Sequence, residues 1–109
     1  MNVYDEAHNL ARAIKESNEF IQFDNIRKEV DKDETVSNML KDLQAKQVEI
    51  QAAQMTGKEV DPELFSQLQS LSAMIATKPL ASQYIQAEGA FSVMINDVFA
   101  ILGDAMGIK

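Results

Sequence analysis

The chain has 109 residues, a formal charge of −7, 46% apolar and 25% charged residues, and no cysteine. That length fits a single domain with one core. The acidity argues against a nucleic-acid face or an anionic membrane surface, both of which need basic residues, and the missing cysteine removes disulfides, thiol catalysis and thiolate metal sites.

Four Gly and two Pro leave few breaks, and the composition favours long helices. Residues 1–34 hold nine Asp or Glu against five Lys or Arg. A solvated helical face accounts for that excess, and an acidic docking surface for a basic partner is the sharper alternative. The opening MNVYDEAHNL has no basic stretch leading into an apolar run, so no signal peptide is expected and a cytoplasmic location fits.

Val3, Ala7, Leu10 and Ile14 recur at steps of four, three and four, predicting a first helix over 3–16. Ser17, followed by Glu19 and Phe20, suggests a break and restart. Phe20, Phe23, Ile26 and Val30 line a second short helix. Asp33 is placed to cap the next element, a long helix over about 34–56 with Val36, Leu40, Leu43 and Ile50 on its buried line and Gln47 where the pattern expects an apolar residue. Gly57 suits the position after a helix end, and Asp61-Pro62 is a strong helix start. Leu64, Leu68, Leu71 and Ile75 follow at heptad spacing, with Phe65 beside them. Lys78-Pro79 ends that helix, because a residue before proline avoids the α region.

The last helix, about 79–102, is the most unusual. No Lys or Arg occurs between Pro79 and Ile108. At 100° per residue its apolar side chains cover roughly 200° of the circumference, where one packing layer needs little more than 100°. Its centre carries Tyr84, Phe91, Ile95, Val98 and Leu102. Ala87, Met94 and Ile101 mark one edge, and Ala81, Ile85 and Phe99 the other. The fold class is therefore all-α: a bundle of about five helices, two long and three short, with antiparallel neighbours. The surplus apolar surface predicts a contact with another chain through Ile85, Glu88, Ser92, Ile95, Phe99 and Leu102, either a homodimer or a higher homo-oligomer. Glu88, Asp97 and Asp104 interrupt the helix, which argues against a membrane span.

No residue set marks a reaction. His8 is the single histidine, and its neighbours four away are Tyr4 and Arg12, so it reads as an ordinary surface residue. Asp31–Glu34 lacks the glycine and distal glutamate of a calcium loop. The glycines are isolated, no serine sits in a nucleophile elbow, and one histidine cannot supply a di-iron site. No cofactor or metal is expected. Glu88 lies inside the apolar arc with Ser92 one turn on. It either stays solvated at the rim or is an interfacial carboxylate paired with a base or a hydroxyl.

Three stretches resemble a known family. They are Val3-Tyr4-Asp5-x-Ala7-x-x-Leu10-Ala11-x-Ala13-Ile14-x-x-Ser17-x-Glu19-Phe20, then Gln54-Met55-x-Gly57-Lys58-Glu59-Val60, and then Tyr84-x-x-Ala87-Glu88-x-x-Phe91-Ser92-x-x-x-Asn96-Asp97-Val98. Together, and in this order, they resemble the YlbF/YmcA family of small bacterial helical proteins, and the central Gly-Lys-Glu looks most like its YheA branch. The resemblance implies an all-helical cytoplasmic protein that assembles as a dimer or higher oligomer. It implies a non-enzymatic regulator or adaptor, since better-studied relatives act in competence, sporulation and biofilm formation, in a complex linked to a phosphorelay and an RNA-degrading enzyme. Some relatives hold an iron–sulfur cluster through cysteines, and a chain without cysteine cannot take that over. The alternative from another class is a bundle binding a small hydrophobic ligand, which six methionines would suit.

Overall fold

The structure is a computed structural model that describes residues 2–108. It contains five α-helices and, among the described residues, no strand: α1 (Val3–Glu16), α2 (Asn18–Asp31), α3 (Glu34–Met55), α4 (Pro62–Ala76) and α5 (Pro79–Met106). The all-α expectation therefore holds, with two long helices and three shorter ones. The last helix is a turn longer than the sequence pattern suggested. It runs four residues past Leu102 and stops at Gly107, whose φ of 73° favours a residue without Cβ. Gly107 N–H reaches the Asp104 carbonyl at 3.2 Å and Ile108 N–H the Gly103 carbonyl at 2.9 Å, the paired bonds of a Schellman end.

Local side chains set the other boundaries. Asn2 caps α1 by accepting from Tyr4 N–H at 2.8 Å. Ser17 serves two helices: its hydroxyl donates to the Ile14 carbonyl at 2.6 Å and accepts from Phe20 N–H at 3.2 Å, closing α1 and capping α2. Asp33 accepts from Val36 N–H at 3.1 Å, and Asp61 from Glu63 N–H at 2.9 Å with Pro62 opening α4. Gly57, at φ 74°, follows the end of α3, where Lys58 N–H bonds the Ala53 carbonyl at 2.9 Å.

The chain separates into two compact units, Met1–Lys28 with Tyr84–Lys109, and Glu29–Gln83. In the second unit α3 packs on α4 as an antiparallel pair. Val30, Val36, Met39, Leu71, Ile75 and Ala81 are its buried residues, Ala81 completely so. Each larger side chain among them contributes about 1.5–3 kcal/mol of burial. Two expectations on α3 change. Met39 is buried, while Leu40, Leu43 and Ile50 are half-buried. Gln47 is exposed, and the neighbouring Lys46 takes the inner position, with its aliphatic stem in the α3–α4 groove and its amine 2.6 Å from Asp42. Ala81, read on the same edge of the arc as Ile85 and Phe99, is fully buried in this unit's core.

Candidate protein interface on the last helix

In the unit formed by Met1–Lys28 and Tyr84–Lys109, the ordered centre is aromatic. The Phe23 ring stacks on Phe91 at 5.4 Å with 14° between planes, and tilts against Tyr84 at 5.5 Å. Phe20 meets Phe91 at 5.7 Å. The guanidinium of Arg27 lies 5.2 Å from the centre of the Phe23 ring and also bonds Asp24 at 2.6 Å, while Lys28 reaches the other oxygen of Asp24 at 3.1 Å. Hydrogen bonds from Arg27 first, then Lys28, hold the Asp24 carboxyl below its ordinary value. Arg27 thus ties Asp24 to the Phe23 ring within one helical turn of α2, and Lys28 holds the same carboxylate from its other oxygen. The spacing of these pairs at i, i+3 and i, i+4 was visible in the sequence, but their role depends on the ring that Arg27 covers.

Beyond the rings, little of this unit is closed off. Phe23 is its only described residue to count as buried, and α1 buries none. On α5 the side chains sort into two adjacent lines. Tyr84, Ala87, Phe91, Met94 and Val98 are half-buried at steps of three and four, facing the unit's interior. Beside them runs the line expected to meet another chain. Ile85, Phe99 and Leu102 are 41%, 63% and 43% exposed, Glu88 and Ser92 are exposed, and Ile95 is half-buried. The expected central line therefore closes over less than its full length, since Leu102 stays open, and of the opposite edge Ile101 is exposed while Ala87 and Met94 turn inward. The physical reason is the reach of the aromatic cluster, whose rings touch α5 at Tyr84 and Phe91.

The longer helix adds Met106, 65% exposed, to the outer line. The steps from Ile85 through Leu102 to Met106 then alternate three and four without a break, which is heptad spacing. The sequence signal for Met106 was Gly107, the stop that extends the helix to it. The upper part of this seam is polar at Glu88 and Ser92, and the lower part is apolar from Ile95 onward. Glu88 is exposed, and among the described residues it makes no ion pair. At the lower end, Leu102 and Ala105 of α5 face Val3, Ala7 and Leu10 of α1 across an apolar groove of about 600 Å³, with Glu6 at its rim. No periodicity in the sequence announced this groove, because it depends on where α1 lies beside α5.

By length and composition alone α5 could cross a membrane, a test that core helices of soluble proteins also pass. Glu88 and Asp97 lie within it, and a carboxylate at the centre of a bilayer costs about 2.5 kcal/mol or more. Among the described residues no group of three or more His, Asp or Glu side chains is placed to hold a metal ion.

Fold and site define a small all-α protein distinguished by an apolar helix face. The chain belongs to the YlbF/YmcA family: residues 3–107 match the family described as control of competence regulator ComK, YlbF/YmcA. A UPF0342 protein of Caldicellulosiruptor bescii is 36% identical over 99% of this chain and 91% of its own length. One from Desulfitobacterium hafniense is 37% identical over 97% and 86%. Among solved structures, a DUF964 protein of unknown function from Bacillus stearothermophilus superposes with a TM-score of 0.80 at 24% identity, covering 96% of this chain and 92% of that one. A chain from the Bacillus subtilis complex of RicA with RicF gives 0.62 at 17% identity, covering 96% and 93%. At those identities the two structures establish the shared helical fold. The family expected from the three motifs is thus the family found, and its description is that of a regulator.

Proposed function

We propose that this chain is a non-enzymatic interaction protein of the cytoplasm, a regulator or adaptor that works as one domain by presenting the α5 seam to a second protein surface. The observation that carries the reading is the seam itself: large apolar side chains at heptad spacing, open from Phe99 to Met106 over two turns, in a unit whose first helix buries no residue. Exposed apolar surface on this scale marks an interaction site. The regulatory description of the family supports the reading, and so does the RicA–RicF complex, in which one protein of this fold binds another protein. The proposed setting is bacterial development or regulation tied to RNA decay, as the resemblance to the YlbF/YmcA family implies.

The test is solution mass by light scattering, followed by affinity capture from cells, for the parent chain and Phe99→Asp. A mass above one chain in the parent, lost in the variant with its helical circular dichroism intact, supports the reading. A parent that is strictly monomeric and captures nothing that the variant fails to capture overturns it.

The α1–α5 groove favours a second reading, a hydrophobic-ligand binder, because its walls at Val3, Ala7, Leu10 and Leu102 are aliphatic. Native mass spectrometry of the purified protein decides it. A retained small molecule, displaced by Leu10→Trp, would favour the ligand, and an empty groove would remove that reading.

A further inference from the structure

We propose that the groove between α3 and α4 is a second docking site, which takes a basic amphipathic helix of a protein partner. It lies wholly within the unit Glu29–Gln83 and shares no residue with the α5 seam. It therefore goes beyond the seam reading and is tested apart from it.

The first observation is shape. The groove consists of two hollows, of about 680 and 290 Å³, that meet at Glu63 and Gln67. Along α3 it extends from Asn38 to Ala53, about 22 Å, the length of a helix of about four turns. Its floor is apolar, with Met39, Leu71 and Met74 in the larger hollow and Ala53, Val60 and Leu64 in the smaller. Met39 and Leu71 are buried, but Met74 is 56% exposed and Val60 and Leu64 are half-buried, so the two helices do not close over their own floor. A third helix laid along the furrow between two antiparallel helices covers such a floor.

The second is charge, which selects the occupant. Asp42, Glu49, Glu59, Asp61 and Glu63 line the groove against Lys46 alone. Lys46 is tied to Asp42 at 2.6 Å, and Asp61 caps α4 by accepting from Glu63 N–H at 2.9 Å. Glu49, Glu59 and Glu63 are exposed, line the same hollow and make no ion pair among the described residues. Carboxylates around one hollow repel one another, and Lys or Arg side chains of a partner relieve that repulsion.

The charge is also spread out. Among the described residues no group of three or more acidic side chains is placed to hold a metal ion. An elongated basic surface fits this arrangement, where a small cation needs converging oxygens. The matching helix has apolar side chains at steps of three and four that seat on Met74 and Val60. Its Lys or Arg residues flank that stripe and meet Glu49, Glu59 and Glu63.

The probe is a fluorescein-labelled helical peptide of about 15 residues, with Leu at steps of three and four and Lys elsewhere. Fluorescence anisotropy follows its binding to the full-length chain. Saturable binding that weakens with added salt is expected, and none for the peptide with Glu in place of Lys. A peptide with Ser in place of Leu keeps the charge but cannot use the floor, and should bind about tenfold more weakly. Glu49→Lys combined with Glu59→Lys should weaken binding of the Leu–Lys peptide about tenfold. Glu16→Lys combined with Asp97→Lys makes the same change in net charge in the other unit, and should leave binding within about twofold of the parent. Met74→Ser, which alters the floor and no charge, should weaken it severalfold, and circular dichroism checks that each variant is folded.

No saturable binding below about 1 mM peptide would overturn the site. Equal losses in the two charge-reversed variants would overturn it too, leaving only general attraction to an acidic protein. Equal binding of the Ser–Lys and Leu–Lys peptides would overturn the helix as occupant in favour of a plain polycation. Loss of binding in Phe99→Asp, with none in the Glu49→Lys and Glu59→Lys variant, would move the peptide to the α5 seam, overturning the groove while the seam reading stands.

Discussion

Phe23 of α2 and Phe91 of α5 stack ring on ring at 5.4 Å, and this contact is the centre of the unit that carries the exposed seam. Phe91 faces inward on the same helix whose next line faces out, so the ring pair fixes which apolar side chains of α5 remain available.

Removing Phe23, 9% exposed, should therefore cost more than any surface change. Phe23→Ala is expected to destabilise by about 3 kcal/mol in urea unfolding. A double-mutant cycle with Phe91→Ala should give a coupling of about 1 kcal/mol. Additive effects would show that the rings do not stabilise one another.

The carboxyl of Asp24 is held below its ordinary value of 3.8 by Arg27 and then Lys28. The folded chain thus takes up this proton less readily than the unfolded one. Its contribution is present above the ordinary value and is lost as pH falls through the lowered one. Both cations are partly solvated, so the effect is small. Asp24→Asn should lower stability slightly near neutrality and flatten the decline below about pH 4. A thermal-melt series whose acid limb is unchanged by the substitution would contradict the assignment.

Two glycines should respond with opposite signs. Gly57 has φ 74° and nothing within 4 Å of an added Cβ, so Gly57→Ala carries only a backbone cost, about 1 kcal/mol destabilising. Gly89 also has open space, but it sits inside α5 with ordinary helical geometry. Gly89→Ala should stabilise by about 0.5–1 kcal/mol. Chemical denaturation of the two variants side by side checks both signs.

Asp33 caps α3 with its side chain, which accepts from Val36 N–H, while its own N–H donates to the Val30 carbonyl of α2 at 3.0 Å. Asp33→Ala is expected to cost about 1 kcal/mol, with Asp33→Asn or Asp33→Ser recovering most of it. Failure of those two residues to rescue stability would place the effect elsewhere than the cap.

Glu88 is exposed and without an ion pair among the described residues. Glu88→Gln should therefore leave unfolding free energy within about 0.5 kcal/mol of the parent from pH 5 to 8. A larger, pH-dependent change would point to a buried partner in the assembled protein.

Much of the architecture was legible in the residues because the signals are local. Ser17, Asp33, Gly57, Asp61-Pro62 and Lys78-Pro79 each act on backbone within a turn of themselves, and every break they predicted is a break in the structure. Leu71 and Ile75 fell on the buried line because heptad spacing puts them on one face of α4 whatever lies opposite. The sequence of α5 likewise determined that its apolar surface exceeds what one neighbour can cover. How that surface divides was decided only in three dimensions. The aromatic cluster takes the line through Tyr84 and Phe91, α1 sets an open groove beside Leu102, and Ala81 is drawn into the core of the other unit. Periodicity fixes which side chains share a face, since that follows from 3.6 residues per turn. Which face is covered depends on contacts between residues far apart in the chain, and no local pattern contains them.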